Sequence, residues 1–490
     1  MSDQHSNITL QWEFPSDHDG AAQILADQIR EMRIEIPGLG PLLTEKPIRI
    51  TRHAWLKVVG AETPKKELLV LLSFAAEVEH SLMVQYLYAM ASLDENGSTA
   101  TQNLRDTIRD IAIQEMAHFI SVQNLLLAVG GVGAIHTGRD GLWSRSKSNP
   151  LPFSLEPVSE LTLAEYVLAE SPEDLKNDPN SRVSKLRAMV MAKANLDPQH
   201  VGAFYRQIYW LLQPDDLPHG TLSLTPDPSR GLIAGWHLQP GDYTSAAVIA
   251  AHQALPGEWH TDSSPGMLVL PLGDASSTPN DIASIALINV AQIMEQGEGA
   301  LPAEGSHFER FLEALDSLAD GNINILALPR TPFVDQAPPP TDAPKPTKLV
   351  REYTTLWSQL FNCRYSMLPL DIGLALQTPI GNQDRDTLVD WAFASGMRLL
   401  SQMMEILTSD VLRNIEPCGP TFGLLLDGLP FAPAQWWTSY RDLLLAEADV
   451  IAGLERRSEL ASNVIATGIV AKVKANSAVR LAFVRNKIGS

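Results

Sequence analysis

Acidic and imidazole side chains at helical spacing constrain the fold of this chain more than any other feature. Glu79 lies in one apolar segment, and the next apolar segment carries Glu115 and His118, three residues apart. The same spacing returns at Glu304 and His307. Because residues three apart lie on one face of a helix, each Glu-x-x-His pair can present both side chains to a single point. The pattern predicts a four-helix bundle around a carboxylate-rich site for two metal ions.

The helical register places these side chains toward a core. Glu79 and Tyr86 are seven residues apart and share a helical face with Leu82, while Glu115 and His118 also share a face with apolar neighbours. Burying several carboxylates without partners is costly, and a pair of metal ions removes that cost. Carboxylates combined with two imidazoles suit iron, with manganese as the alternative. We therefore expect two iron ions and a catalytic role for Tyr86, whose alternative is an ordinary core aromatic.

The acid of the third bundle helix has two candidates. Glu295 is aligned with apolar residues one and two turns earlier, whereas Glu298 lies between two glycines, level with Glu304 and His307 across a tight turn. This position slightly favours Glu298. The alternative for every one of these acids is a solvent-exposed side chain, and Glu304 fits an exposed first-turn acid equally well. The predicted metal ligands are Glu79, Glu115, His118, Glu295, Glu298, Glu304 and His307.

Residues next to the expected ligands receive other roles. Glu77 lies two residues from Glu79 and is expected to face solvent, and His80 is expected to face a neighbouring helix. Four further histidines lie between the second and third bundle helices. Their spacing fits no ligand pattern, so we expect polar surface rather than a second metal site for His219, His237, His252 and His260.

Helix-starting and helix-stopping residues divide the chain. Residues 1–60 are predicted as an N-terminal arm, and residues 61–328 as a mainly α bundle. A Pro- and Gly-rich insertion at 132–280 would supply the long crossover that such a bundle needs and could cover the site. Residues 329–347 read as an extended, exposed Pro-rich spacer. Residues 348–490 show helical apolar spacing and are predicted to form a C-terminal helical layer.

The composition of the chain limits which partners the protein is expected to bind and in which cellular compartment it is expected to occur. The 490 residues carry a formal net charge of -20, which argues against nucleic acid and anionic membrane as partners. Two cysteines make no disulfide framework, the N-terminus shows no signal peptide, and no stretch reaches the ~20 apolar residues that span a bilayer. We therefore expect a cytoplasmic protein with a small-molecule substrate and dioxygen as partners, and a homodimer as its assembly.

The motifs resemble those of a known family. The segments that carry the resemblance are Glu79-His-Ser-Leu-Met-Val-Gln-Tyr86, Gln114-Glu-Met-Ala-His118, Asn124-Leu-Leu-Leu-Ala-Val-Gly-Gly131, Glu295-Gln-Gly-Glu-Gly and Ser306-His-Phe-Glu-Arg-Phe311. They resemble the ferritin-like iminophenyl-pyruvate dimer synthase family, which includes the imine-coupling enzymes of violacein and indolocarbazole biosynthesis. The resemblance covers about residues 64–131 and 280–315. It implies a ferritin-like bundle, a metal centre and oxidative chemistry on amino-acid-derived substrates.

Three functions remain open from the sequence. The first is a non-haem diiron oxidase or oxygenase acting on a small amino-acid-derived metabolite in natural-product biosynthesis. The second is an imine-coupling enzyme like the relatives of this family. The third is a metal-binding ferritin-like protein without catalysis, although a long chain with an insertion fits a substrate pocket better than storage. Metal content and oxygen-dependent absorbance changes discriminate among the three.

Overall fold

The computed structural model describes residues 9–13, 55–139, 150–172, 175, 181–194, 196–214, 223–228, 231–259, 269–297, 305–319, 321–339, 345–426 and 433–489. This part of the chain is mainly helical, which confirms the predicted fold class. Helices of seven or more residues are α1 (Pro64–Ala91), α2 (Thr99–Gly130), α3 (Glu160–Glu170), α4 (Arg182–Ala194), α5 (Val201–Leu212), α6 (Ala246–His252), α7 (Pro279–Gly297), α8 (His307–Ala319), α9 (Glu352–Gln377), α10 (Gln383–Ala392), α11 (Arg398–Thr408), α12 (Pro433–Glu455) and α13 (Val464–Ile488).

Strands are short in the described ranges. β1 (Thr9–Glu13) pairs antiparallel with β2 (Trp55–Val59), so part of the predicted N-terminal arm is a two-stranded ribbon. β3 (Pro332–Phe333) pairs parallel with β4 (Thr347–Lys348) within the Pro-rich spacer. The spacer is less exposed than its composition predicts, because Val334 is fully buried and packs against the helical core. None of the helices in the described ranges is long and apolar enough to cross a membrane.

The first two bundle helices begin and end at capping residues. The Thr63 side chain accepts a hydrogen bond from the backbone of Lys66, and Pro64 occupies the first turn of α1. The Ser98 side chain caps α2, which stops at Gly131 with a φ of 70° that favours glycine. Both helices are among the longest in the chain and pack against each other. They form the rigid half of the bundle that carries Glu79, Glu115 and His118.

The other half of the bundle is the pair α3 and α8, and α8 also packs against α2. Sequence analysis placed Glu295, and with it the third bundle helix, in the segment that forms α7. In the structure α7 packs mainly against α5 and α2 and makes fewer contacts with α8. Tyr166 of α3 reaches α1, where its hydroxyl donates a hydrogen bond to the Gln85 backbone oxygen (3.2 Å). The segment predicted as an insertion therefore contributes a helix to the bundle itself.

The rest of residues 132–280 is tied to α2 by a buried amide. Asn124 donates from its side chain to the backbone oxygens of Ala254 (3.1 Å) and Leu270 (2.9 Å) and accepts from the backbone of Ala254 (2.7 Å). Satisfying three backbone groups with one side chain fixes this loop against the bundle. The loop is thereby part of the packed core on this side.

The C-terminal helices form a layer around α9, which is buried along most of its length. Buried ion pairs join Arg364 to Glu447 of α12, and Arg480 of α13 to Asp371 of α9. Removing one partner of such a pair leaves an uncompensated buried charge, which typically costs about 3–5 kcal/mol. The layer reaches the bundle through the Tyr365 hydroxyl, 2.7 Å from a ring nitrogen of the α1 residue His80.

Candidate metal centre

Four helices bring five acidic and imidazole side chains to one buried place. α1 supplies Glu79, α2 supplies Glu115 and His118, α3 supplies Glu170 at its last residue, and α8 supplies His307 at its first. Each of these side chains belongs to a residue that is at most 4 % exposed. Three carboxylates and two imidazoles in one apolar core are the ligand chemistry of a carboxylate-rich di-metal site.

Glu115 is the centre of the cluster. Its Oε2 lies 3.0 Å from Nδ1 of His118, and its Oε1 lies 3.0 Å from Nδ1 of His307. One ligand atom of each of these three residues falls within 4.8 Å of the others. The carboxylate therefore lies between the two imidazoles, with one oxygen facing each ring.

Glu79 and Glu170 flank this centre on opposite sides. Glu79 Oε2 lies 3.6 Å from His118 Nδ1, and Glu170 Oε2 lies 3.9 Å from His307 Nδ1. Their remaining oxygens accept hydrogen bonds from buried phenols. The Tyr205 hydroxyl of α5 donates to Glu79 Oε1, and the Tyr86 hydroxyl donates to Glu170 Oε1 at 2.6 Å. Each outer carboxylate is thus held by a tyrosine and turns one oxygen inward.

The far side of each imidazole meets a glutamine. Nε2 of His118 lies 3.0 Å from Gln296 Oε1 on α7, and Nε2 of His307 lies 2.9 Å from Gln114 Oε1 on α2. An amide oxygen only accepts, so Nε2 carries a proton in both rings, and whenever a ring is neutral its Nδ1 presents a lone pair to the carboxylates. Imidazoles that ligate a metal through one nitrogen usually donate the other N–H in this way.

Two buried atoms at the centre of the cluster indicate whether a metal ion fits there. Among the described residues, neither Glu115 Oε1 nor His307 Nδ1 has a hydrogen-bond partner, although the two atoms are only 3.0 Å apart. Two facing acceptors in an apolar core repel each other and lose their hydration. A cation between them satisfies both lone pairs at once. The donor set and its geometry therefore fit a bound metal ion.

The protonation of the metal-free cluster leads to the same conclusion. Burial, reinforced by the neighbouring Glu115 charge, raises the pKa of Glu79 to about 8. Burial opposes the charged form of His118, but Glu115 and Glu79 outweigh it and raise the pKa of His118 well above its usual value. Without metal the cluster thus balances its carboxylates with protons. A metal ion would replace those protons.

The structure brings together four of the seven predicted ligands, namely Glu79, Glu115, His118 and His307. Glu298 and Glu304 lie outside the described residues. Glu295 is exposed, so it takes no part in the buried cluster, in contrast to the sequence-based expectation. The reason is that the outer face of α7 is also apolar: Ile288, aligned with Glu295, is itself 40 % exposed. The inward face of α7 carries Met294 instead.

Glu77 and His80 take positions around α1 that differ in part from expectation. Glu77 is fully buried rather than solvent-facing, and its Oε1 lies 2.8 Å from Nε2 of His136. His80 faces the neighbouring α9, as its spacing predicts, through the hydroxyl of Tyr365. Neither residue is part of the group of ligand atoms around Glu115.

Sequence analysis missed Glu170, Tyr205 and both glutamines. The signal for Glu170 is weak but visible, because it comes four residues after Tyr166 at the end of a short apolar helix and so shares its core face. Gln114 directly precedes a predicted ligand. Nothing in the local pattern of Tyr205 or Gln296 points to the site.

A small cavity opens directly beside the cluster. Glu79, Glu115, His118 and Glu170 form its polar side, and apolar residues of α1, α5 and α7 form the opposite wall. That wall consists of Leu82, Val201, Ile293 and Met294, with the Tyr205 ring. Gly297 also lines the cavity, and a side chain there would begin 3.5 Å from Glu170 Oε2. The ligands therefore border a cavity rather than being wholly enclosed.

Comparison with known proteins agrees with this description. Residues 72–255 match a family model described as Ferritin-like. The matched range contains Glu79, Glu115, His118 and Glu170. The helical fold, the buried cluster and this match define a ferritin-like domain in the chain. None of the solved structures gives a significant match.

Two curated enzymes are similar to the chain within a limited region. Dichlorochromopyrrolate synthase of Lentzea aerocolonigenes is 26 % identical over 135 residues, which cover 23 % of this chain and 13 % of that protein. The 2-imino-3-(indol-3-yl)propanoate dimerase of Chromobacterium violaceum is 31 % identical over 134 residues, covering 22 % of this chain and 13 % of that protein. The matches thus span a small part of the relatives' length. They support the family resemblance seen in the motifs.

Proposed function

We propose that this protein is a non-haem diiron oxidase or oxygenase that acts on a small, amino-acid-derived metabolite with dioxygen as the oxidant. The observation that carries the proposal is the Glu115 carboxylate between two buried imidazole nitrogens, one of which has no hydrogen-bond partner among the described residues. Manganese is the alternative metal, since the same ligands suit it.

The side chains divide into two sets around Glu115. His118 and Glu79 would hold one ion, and His307 and Glu170 would hold the other, with Glu115 shared between them. Iron, when bound, supplies the capacity to bind dioxygen and to accept and return electrons. The protein supplies the ligands and holds each outer carboxylate and each imidazole by a hydrogen bond to a tyrosine or a glutamine.

Two tyrosines and the apolar residues of the cavity have supporting roles in this proposal. Tyr86 acts through Glu170, to which it donates a hydrogen bond, so its role in this proposal is to position that carboxylate. Tyr205 donates a hydrogen bond to Glu79 and lines the cavity beside the metal site. The apolar residues that line this small cavity would exclude bulk water from the metal ions, and the free space is on the order of one water molecule, which suits dioxygen rather than a whole metabolite.

The test is oxygen uptake by reconstituted protein. Metal-free protein is loaded anaerobically with ferrous iron and then mixed with oxygenated buffer, while absorbance and dissolved oxygen are recorded. The proposal expects oxygen consumption and a new absorbance band in wild type, and neither in Glu115→Ala. Equal consumption by both proteins, after correction for free iron, would assign the reaction to solution chemistry and reject the proposal.

Imine coupling is the second candidate, and the similarity to 2-imino-3-(indol-3-yl)propanoate dimerase favours it. The candidate is tested with 2-imino-3-(indol-3-yl)propanoate, the compound that one relative is named for. Formation of a coupled dimer without extra oxygen uptake would support coupling. An oxidised monomer with matched oxygen uptake would support the oxidase. Metal binding with neither product from a panel of amino-acid-derived imines would favour a non-catalytic metal-binding protein.

A further inference from the structure

Gln114 accepts hydrogen bonds from two side chains of α8. Its Oε1 lies 2.9 Å from Nε2 of His307 and 3.0 Å from Nη1 of Arg310. Arg310 also donates to the backbone oxygen of Thr107 (3.2 Å) and lies 3.9 Å from the carboxylate of Asp110. These contacts lie on one face of α2, so the guanidinium is anchored against that helix beside the cluster.

The arginine determines which end of the Gln114 amide faces the histidine. A guanidinium has five N–H donors and no acceptor, so the atom of Gln114 that meets Arg310 must be the amide oxygen. A flipped amide would direct its NH₂ group at the cation. The same oxygen faces His307, so the ring nitrogen Nε2 must be the donor there.

The position of the proton on the His307 ring also determines which ring atom can bind a metal ion. With its proton on Nε2, a neutral His307 carries its lone pair on Nδ1, the atom 3.0 Å from Glu115 Oε1. The Nδ1 atom makes no hydrogen bond among the described residues, which agrees with an acceptor facing an acceptor. The ring is therefore in the tautomer that a metal ligand needs before any ion is bound.

We propose that Arg310 and Gln114 are positioning residues that preset the His307 tautomer for metal binding; the inference rests on the proposed metal-dependent function. Arg310 fixes the position of the Gln114 amide oxygen. That oxygen accepts hydrogen bonds from both Arg310 and His307, so it fixes the proton of the His307 ring on Nε2. The pair thereby removes the alternative ring state, in which the Nδ1 atom carries the proton and cannot ligate. A histidine without this constraint would populate both tautomers and would bind metal more weakly.

Substitutions at the two positions separate this role from simple packing. Gln114→Met removes the acceptor, and Arg310→Met removes the fixed donor, so each should weaken metal binding by about 10–100-fold. Gln114→Glu keeps an acceptor for both partners and should bind within about twofold of wild type. Arg182→Met is the control, because it removes an exposed arginine whose ion pair is with Asp316, elsewhere on α8.

Metal affinity is measured by titrating metal-free protein with ferrous or manganous ion, with circular dichroism confirming the fold of each variant. The second readout needs no metal: long-range proton–nitrogen NMR on protein labelled with ¹⁵N-histidine, with the His307 signals assigned by their loss in His307→Gln. We expect the Nε2–H tautomer in wild type and in Gln114→Glu, and a mixture in Gln114→Met. A wild-type ring protonated on Nδ1 would overturn the inference. So would a Gln114→Glu variant as weak in binding as Gln114→Met.

The two readouts keep the inference separate from the proposed function. If wild type binds no metal yet shows the Nε2–H tautomer, the proposed function fails while the positioning role of Arg310 and Gln114 stands. If wild type binds metal and Gln114→Met binds it equally tightly, the proposed function stands and the positioning role is wrong.

Discussion

Replacing Glu170 by glutamine should change stability in opposite directions in the metal-free and the metal-loaded protein. Glu170 is 2 % exposed, and its Oε2 lies 3.9 Å from His307 Nδ1, which in turn lies 3.0 Å from Glu115 Oε1. The two carboxylate oxygens are therefore at most about 7 Å apart, where two unit charges repel by about 2 kcal/mol at an effective dielectric constant of 20. A glutamine at this position removes the repulsion, and its amide oxygen can still accept the hydrogen bond from the Tyr86 hydroxyl.

The remaining hydrogen bond is weaker because its acceptor is no longer charged, which costs about 1 kcal/mol. The metal-free variant should therefore be more stable than wild type by about 1 kcal/mol, or about 1 °C in melting temperature for a chain of this length. With metal at 100 times the dissociation constant, wild type gains about 2.7 kcal/mol. If losing the ligand weakens binding a hundredfold, the variant gains only about 0.4 kcal/mol at the same concentration.

The assay is thermal unfolding of both proteins at pH 7, with chelator and with metal. Glu165→Gln is the matched control: it lies on the same helix, outside the cluster, and its pKa is raised to about 8 by burial and the Glu156 charge. At pH 7 Glu165 is thus largely neutral in the folded protein but ionised in the unfolded chain, so the substitution should raise both melting temperatures and leave the gain from metal unchanged. A Glu170→Gln protein that gains as much melting temperature from metal as wild type would show that Glu170 is not a ligand.

Three further outcomes are expected. Glu115→Ala and His118→Ala should each lose metal in elemental analysis, whereas His80→Ala, which removes contacts to Tyr365 and Phe119 but no ligand, should retain it. Equal loss in all three would mean that His80 also faces the metal site. Glu295→Gln should leave metal content unchanged because that side chain is exposed, and a loss there would place it in the site. Because the pKa of Glu165 is raised to about 8 in the folded protein, its carboxyl group stabilises the fold at pH 4, and this stabilisation is lost as the pH rises toward and through 8. The melting temperature of wild type should therefore fall over this pH range, and it should fall less in Glu165→Gln. Identical pH profiles of the two proteins would contradict this prediction.

Local spacing was enough to predict the mainly α fold and to place four side chains in one cluster. Glu115 and His118 share a helical face by geometry alone, and Glu79 lies in an apolar run that has to be buried. The partner helix was harder to predict. Which segment completes the bundle depends on tertiary packing, and both α3 and α7 carry a glutamate at the end of an apolar stretch.

Glu170 and the glutamines show what spacing cannot predict. Glu170 has no histidine three residues away, and it lies in the insertion that was predicted as a crossover able to cover the site. Gln114 and Gln296 carry no charge, so nothing in the sequence separates them from surface amides. Their roles arise only when α2, α7 and α8 bring them to the imidazoles. The domain boundaries, the partners and the cytoplasmic location stay predictions.

Metal content tests the central claim most directly. The protein is purified, reconstituted anaerobically with iron or manganese, freed of loosely bound ions and measured by elemental analysis. Two ions per chain are expected, because Glu115 lies between two separate imidazoles, each with its own outer carboxylate. A folded wild-type protein that retains neither iron nor manganese would contradict the account.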